Sequence, residues 1–328
     1  MSQITITTFN VENLFNRYAL LDQPWEGRSY EKLVQAVGLV SIASRAGDLV
    51  SYPTTEIQRN NTARAILDSA PDILAVQEVE NLYTLRLFNH QFLDDYFDRM
   101  VLVDGNDPRG IDVGLLLRSR KDSKERKGFK GEIVAIRTHV DEPEKGKEQV
   151  SRGSNGFGYL ASGALFSRDC LEVDLAVGEK TLTLLANHLK AQDTTKASVK
   201  RRTKQAKRVA ELAALAAEGG KFPIVLGDLN VDLTAKDKSL DALFKGSKDV
   251  LMDPFPDGTW THYYTSDKKT SRLDYILPRK GLNVVSTKIV RMGLTTKCKQ
   301  YTGPRYPTIG QEHTEASDHC PTTVVLDI

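Results

Sequence analysis

Glu315-Ala316-Ser317-Asp318-His319-Cys320-Pro321 runs directly into the apolar stretch Thr322–Leu326, so a carboxylate and an imidazole stand together at the mouth of a strand. Such a pair can bind a metal and hold a phosphate, but alone it says little. Other apolar runs meet polar clusters in the same way. Ile4–Phe9 runs into Asn10, with Glu12 and Asn13 behind it. Ile73–Gln77 runs into Glu78-Val79-Glu80-Asn81, Thr181–Ala186 into Asn187-His188-Leu189-Lys190, and Phe222–Leu226 into Gly227-Asp228-Leu229-Asn230. In α/β sheets, ligands sit in the crevice beyond the carboxyl ends of the strands. The last strand begins, rather than ends, with its polar residues. If it runs antiparallel to the others, its start lies at the edge where they end.

Further strand candidates are Asp112–Leu117, Ile133–Thr138, Tyr159–Ser167, Leu171–Ala176, Arg272–Leu277 and Val284–Arg291. Several are continuously apolar, which suits strands buried on both faces. Helix candidates are Gln58–Ser69, Leu82–His90, Ala197–Ala217 and Ser239–Lys245, the first stopped by Pro71. Strands adjacent in sequence predict hairpins, and strand–helix–strand stretches predict crossovers. Together they favour an α/β fold of two mixed sheets packed together and covered by helices. No repeat or linker divides the chain, so residues 1–328 read as a single domain.

A chain of 328 residues can bury a large core, and 40% hydrophobic with 27% charged residues is ordinary for a globular protein. A net charge of +2 gives no overall basic field. The basic residues are clustered, however: Arg118–Lys130 and Lys196–Arg208 each hold seven Lys and Arg. Three cysteines without CxxC spacing indicate neither a disulfide framework nor a zinc knuckle. No stretch approaches the ~18 apolar residues of a membrane span, and the N-terminus lacks the charged and apolar regions of a signal peptide. The chain reads as cytoplasmic, with no membrane partner. Residues 18–56, 142–158 and 295–311 are the least readable, the middle one resembling a mobile Gly-rich loop.

Each polar cluster has an ordinary explanation. Asn10 could end a strand in an Asx-turn, Glu78–Asn81 could be an acidic first helical turn, and Gly227–Asn230 could be a plain turn. His188 could be a satisfied buried histidine. Asp274, inside an apolar strand, must be paired if it is buried. Five such coincidences at one sheet edge are harder to dismiss. Hard oxygen ligands such as Glu78, with Asn10 and Asp318 nearby, suit Mg²⁺ or Mn²⁺ rather than zinc. Asp228 could orient and deprotonate a water, with Asn230 fixing its direction, while Asp274 could hold His319 as a cation or in the correct tautomer to stabilise the phosphorane-like charge. His188 would add a second donor. No GxSxG or activated cysteine offers a covalent nucleophile.

In this order, FNVEN, QEVEN, NHLK, GDLN, RLDYIL and SDH resemble the endonuclease/exonuclease/phosphatase superfamily, from about Ile4 to Leu326. The resemblance implies a four-layer α/β sandwich, two mixed sheets packed face to face and flanked by helices, and divalent-metal-dependent phosphodiester or phosphomonoester hydrolysis. It implies metal binding at Asn10 and Glu78 with Asp318 close to the metal, phosphate contacts from His188 and Asn230, nucleophile activation by Asp228, and an Asp274–His319 pair. Arg168 looks like a substrate-phosphate arginine, and Arg109 resembles a cleft residue of bacterial members with an FNVENLF start. Lys190 falls within NHLK. Trp260, in a Trp-Thr-His-Tyr-Tyr run, falls where related nucleases place aromatics, although one buried face of an amphipathic strand is the commoner origin of such a run. The SRLDYIL stretch departs from the WCDRIL-like motif of inositol 5-phosphatases.

The leading expectation is a metal-dependent nuclease acting on DNA, with RNA a further candidate, supported by the motif set and the Lys196–Arg208 cluster. That cluster could equally be a solvated helix face. The alternative is a phosphatase or phosphodiesterase for small phosphate esters or lipid head groups.

Overall fold

The computed structural model describes residues 3–20, 49–52, 54–107, 109–118, 129–144, 151–154, 159–193, 195–311 and 313–328. Two sheets carry the fold. The first has six strands in the order β16 (Asn283–Ile289), β17 (Thr322–Asp327), β1 (Gln3–Leu14), β4 (Ile73–Val79), β6 (Asp112–Leu117) and β5 (Arg99–Leu102). The second has five: β15 (Asp274–Pro278), β12 (Phe222–Asp228), β11 (Lys180–His188), β10 (Cys170–Val177) and β7 (Glu132–Arg137). Among the described residues there are also three two-stranded pairs: β2 (Arg17–Leu20) with β3 (Leu49–Tyr52), β8 (Ser151–Ser154) with β9 (Tyr159–Ser162), and β13 (His262–Tyr264) with β14 (Lys269–Ser271).

Both sheets are mixed. β1 pairs parallel to β4 but antiparallel to β17, and β12 pairs parallel to β11 but antiparallel to β15. Period-two alternation sorts the side chains into layers. Ile4, Ile6, Ile73 and Ala75 of one sheet meet Leu184, Ala186, Ile224 and Leu226 of the other in a central core. The intervening residues face outward. Phe9, Leu74, Val76 and Leu116 pack under helices α1 (Glu56–Ser69) and α2 (Leu82–Phe92). Leu185, Val225, Tyr275 and Leu277 pack under α3 (Lys196–Glu218) through Ala206, Val209 and Ala213. The result is the four-layer sandwich expected from the sequence. Fully burying each large apolar side chain contributes about 1.5–3 kcal/mol, which is why strands with apolar residues on both faces end up central.

The helices begin where the sequence supplies caps. Thr55 and Gln58 form a reciprocal capping box at α1, and Ala70 ends that helix in the left-handed region just before Pro71. Asn81 caps α2 by accepting from the Thr84 amide at 2.8 Å, and Thr195 caps α3. Two expectations need correction. Ser239–Lys245 does not form an α-helix; the chain makes a single π turn over Ala242–Gly246, too short to repay helix nucleation. Tyr159–Ser167 is not one strand. β9 stops at Ser162, because Gly163 turns the chain at φ 90°. Most of the basic Arg118–Lys130 run, residues 119–128, lies outside the described residues, as do 145–150 and 155–158 of the Gly-rich segment.

Candidate active site

The site is a continuation of the strand alternation past the central core. Asn10, His188 and Asp228 fall in step with the inward-facing residues of β1, β11 and β12, and Asp274 falls in step with Ile276 of β15. β17 begins opposite Thr8, so its antiparallel start brings Asp318 and His319 to the same edge. Glu78 would break the alternation, but a bulge between Gln77 and Val79, with Glu78 at φ 66°, re-aims it. A register shift between Asn10 and Leu14 accompanies left-handed backbone at Glu12 and Asn13, at φ 51° and 59°. Asn230 is also left-handed, at φ 56°. Strained backbone gathers where polar side chains must leave the pleat.

Gly227 explains the glycine of Gly-Asp-Leu-Asn. It sits at φ 132°, and a Cβ there would lie 1.9 Å from the Asn187 carbonyl oxygen on β11. What reads as a turn is the end of a central strand that only glycine can fill.

Two buried pairs organise the inner part of the site. His319 Nδ1 lies 2.8 Å from Asp274 Oδ2, and Thr261 donates its hydroxyl to the same oxygen at 2.7 Å. Thr261 Oγ in turn accepts from the Leu273 and Asp274 amides. Burial works against charge on His319, but Asp274 and Asp228 outweigh it and hold the imidazole well above its ordinary pKa. Asp228 Oδ2 accepts from Asn10 Nδ2 and Asn230 Nδ2, each at 3.1 Å, and its Oδ1 accepts from the Asn230 amide at 2.9 Å. Burial, joined by Asp274, pushes the Asp228 carboxyl up to about 6, with His319 opposing. His188 Nε2 stands 3.4 Å from Asp228 and 3.9 Å from Glu78. Burial and the cations Arg168 and His319 keep His188 well below its usual pKa, in the neutral form.

At the outer part, carboxylates crowd together. Glu78 accepts from the Asn13 amide at 3.2 Å, and Glu12 accepts from the Asp318 amide at 3.0 Å. Burial, then Asp318, Glu315 and Glu78, raise the Glu12 carboxyl well above its normal value. Ser317 ties the group together: its hydroxyl donates to the Asn10 carbonyl at 2.8 Å and accepts from the His319 amide. Mutual repulsion of this kind fits a hard divalent cation held among Glu12, Glu78, Asp318 and the Asn10 amide oxygen. Glu12 was absent from the sequence-derived candidates. Its signal was its place two residues after Asn10, the spacing that keeps strand residues on one face. Thr261 and His262 were likewise seen only as parts of an aromatic run.

The substrate-side candidates are placed unevenly. Arg168 is buried beside the site, donating to the Leu189 carbonyl at 2.8 Å and pairing with Asp107 at 3.1 Å. Arg109 is exposed and chelates Asp107. Lys190 lies 3.8 Å from Asp193, on the loop that follows His188. Trp260 packs with Tyr263, Leu294, Cys298 and Cys320, and the Arg291 guanidinium lies 4.1 Å over its ring. Two residues on, it is His262 that faces the site: its Nε2 is 3.4 Å from Asp318. The basic stretch of α3 is largely occupied. Arg201 donates to the Ala164 and Leu165 carbonyls, Arg202 is buried against Lys190, Ala191 and Asp237, Lys204 pairs with Glu144, and Arg208 with Glu142. Lys196, Lys200 and Lys207 remain exposed.

The sequence profile of the Endonuclease/Exonuclease/phosphatase family matches residues 8–319. Curated protein sequences give no match. Among solved structures, the chain is similar to a mannosyl-6-phosphatase of Bacteroides thetaiotaomicron at 19% identity and TM-score 0.58, with 99% of this chain and 100% of that one covered. It is similar to TDP2 of D. rerio complexed with a single-strand DNA product, at 14% identity and TM-score 0.56 with both chains fully covered. The human Nocturnin catalytic domain with bound sulfate superposes at 16% identity and TM-score 0.58, covering 99% of this chain and 94% of that one. At these identities the likeness concerns the fold. Among the described residues no helix is long and apolar enough to cross a membrane.

Proposed function

The chain belongs to the endonuclease/exonuclease/phosphatase family, and on that premise we propose that it is a divalent-metal-dependent phosphodiesterase whose substrate is nucleic acid, DNA first. The whole chain acts as one catalytic domain. The observation that carries this reading is the convergence of Asn10, Glu78, His188, Asp228, Asn230, Asp274, Asp318 and His319 at one edge of two packed sheets. Asn10, Glu12, Glu78 and Asp318 would hold Mg²⁺ or Mn²⁺. When bound, the ion neutralises a phosphate oxygen and the charge growing on the leaving oxygen.

The protein groups divide the remaining work. Asp228, raised to about 6, takes a proton from the attacking water while Asn10 and Asn230 fix its carboxylate. The His319 cation, anchored by Asp274, donates from Nε2 to the non-bridging oxygen on which charge accumulates. Neutral His188 contributes a second donor. Arg168, locked by the Leu189 carbonyl and Asp107, sits where a substrate phosphate oxygen would approach, with Arg109 and Lys190 further out. The similar fold of a TDP2 that carries a DNA product supports a nucleic-acid substrate.

A second reading, hydrolysis of small phosphate esters, is favoured by one observation. Four of the seven cations of Lys196–Arg208 are spent on internal contacts, so α3 offers no continuous phosphate-tracking stripe. A panel of plasmid, single-stranded DNA, abasic duplex, RNA, bis-p-nitrophenyl phosphate and a sugar phosphate, each with Mg²⁺, Mn²⁺ or EDTA, separates the two. Nicked plasmid with steep salt dependence supports the DNA enzyme. Turnover of the small esters alone transfers the reading to the second. Activity that survives both EDTA and Asp228→Asn removes the hydrolase proposal.

A further inference from the structure

Two imidazoles converge on Asp318, and the proposed hydrolysis uses only one of them. His262 bridges His319 across antiparallel chain segments. The Cys320 amide donates to the Thr261 carbonyl at 2.7 Å, and the Tyr263 amide to the Asp318 carbonyl at 2.9 Å. This clasp sets the two rings 4.6 Å apart, tilted by 51°. Each Nδ1 is engaged on the far side, His262 with the Ser271 hydroxyl at 3.0 Å and His319 with Asp274 at 2.8 Å. Each Nε2 thereby has Asp318 within reach, at 3.4 Å for His262 and 3.9 Å for His319, whose Nε2 also lies 3.8 Å from Asp228. The three residues offer ligand atoms that all lie within 4.8 Å of one another.

The arrangement is poorly explained as hydrogen bonding alone. At 3.4 Å the His262–Asp318 contact is longer than the ~2.9–3.0 Å at which an N–H···O bond is best. It has, instead, the features of a ligand set for an ion. Two imidazole nitrogens and a carboxylate lie within 4.8 Å of one another, and each imidazole is held from behind by a polar partner that fixes its orientation. Ligands ~2.0–2.2 Å from an ion in tetrahedral array stand about 3.3–3.5 Å apart, so modest side-chain rotation closes the cradle. Two nitrogens and one oxygen suit borderline transition metals, whereas the oxygens of Asn10, Glu12 and Glu78, with Asp318 shared between the two sites, suit Mg²⁺.

We propose that His262, Asp318 and His319 form a second cation site, selective for ions of the zinc class. Occupancy displaces the Nε2 proton of His319 to solvent and engages the nitrogen that would otherwise face phosphate. Zinc-class ions therefore inhibit the activity that Mg²⁺ supports. The binding site stands on its own geometry; only its inhibitory consequence rests on the hydrolase reading.

Co²⁺ is the probe, added to the full chain in excess Mg²⁺ so that the hard-oxygen site is filled. The expected result is one Co²⁺ retained per chain, with a visible ligand-field band displaced by one equivalent of Zn²⁺. His262→Gln should weaken Co²⁺ binding by about 100-fold or more and abolish the band, and Ser271→Ala, which frees Nδ1, should weaken it about tenfold. Wild-type protein that holds no Co²⁺ against excess Mg²⁺ overturns the proposal whatever the variants do. So does a His262→Gln protein that keeps the wild-type band. Hydrolysis of bis-p-nitrophenyl phosphate by the wild-type protein in Mg²⁺ alone judges the function separately. Co²⁺ bound without hydrolysis leaves the site and removes the function; hydrolysis without Co²⁺ binding does the reverse.

Discussion

Asp274→Asn is the sharpest probe of the paired imidazole. Asp274 is fully buried, and its Oδ2 is shared between His319 Nδ1 at 2.8 Å and the Thr261 hydroxyl at 2.7 Å. At an effective dielectric of ~20, unit charges 2.8 Å apart attract by about 6 kcal/mol. Desolvation of both groups consumes part of that. Asp228 and Asp318 lie farther from Nε2, at 3.8 and 3.9 Å, and have other duties. Replacing the carboxylate with an amide of the same shape keeps an oxygen for Thr261 and removes the charge. His319 then loses the largest support for its cation, and its pKa falls.

For catalysis the expected cost is that of losing one charge-stabilising donor, about 10²–10³ in kcat, or roughly 2.7–4 kcal/mol. The assay is hydrolysis of bis-p-nitrophenyl phosphate in Mg²⁺ across pH, with circular dichroism to establish folding. The wild-type profile should be bell-shaped. Its acid limb reflects the carboxylate cluster around Asp228, near 6 and moved lower by bound metal, because the base is lost as pH falls through its pKa. Its alkaline limb reflects the raised His319, whose cation is lost as pH rises. Asp274→Asn should move the alkaline limb to lower pH and leave the acid limb largely in place. A folded variant within about threefold of wild type, with an unmoved alkaline limb, refutes the pairing as a source of rate.

Three further outcomes are expected. Burial, then Asp104, Asp107 and Asp169, push the Asp112 carboxyl up to about 7, so the folded chain takes up a proton there more readily than the unfolded one. Stability should thus fall as pH rises from about 4 to 7, and Asp112→Asn should gain up to about 4 kcal/mol at pH 8, shrinking in acid; melts showing no pH-dependent gain argue against that burial cost. Gly227→Ala places a methyl 1.9 Å from the Asn187 carbonyl oxygen at an unfavourable φ, and should cost more than about 3 kcal/mol or prevent folding; an unchanged melting temperature would contradict the β11–β12 register. Glu12→Gln relieves the carboxylate crowding, so the metal-free protein should melt higher while the gain from Mg²⁺ (about 2.7 kcal/mol for wild type at a hundredfold excess over Kd) largely disappears; equal Mg²⁺ responses in thermal melts would take Glu12 out of the metal group.

Local sequence was enough to find the sandwich and the strand-end residues. Burial on both faces writes continuous apolar runs, and a polar residue that continues an inward-facing alternation must meet whatever lies at the sheet edge. Asn10, His188, Asp228 and Asp274 were legible for that reason, and His319 as the start of a strand running antiparallel to β1. Family resemblance then assigned them roles. Glu12 shares the parity of Asn10, yet its meeting with Asp318 was not legible, since only the fold brings the start of β17 beside that end of β1. Thr261 and His262 were hidden because their partners are 13 and 57 residues away, and only the clasp of the β13 hairpin on the Ser-Asp-His segment joins them. The basic run of α3 misled for the same reason: charge is written in sequence, but its partners Glu142, Glu144 and Asp237 are chosen by packing. Sequence by itself determined which residues could do chemistry and which side of each strand they occupy. Tertiary structure decided which of them meet, because distance between side chains from remote segments is set by strand register, bulges and layer packing.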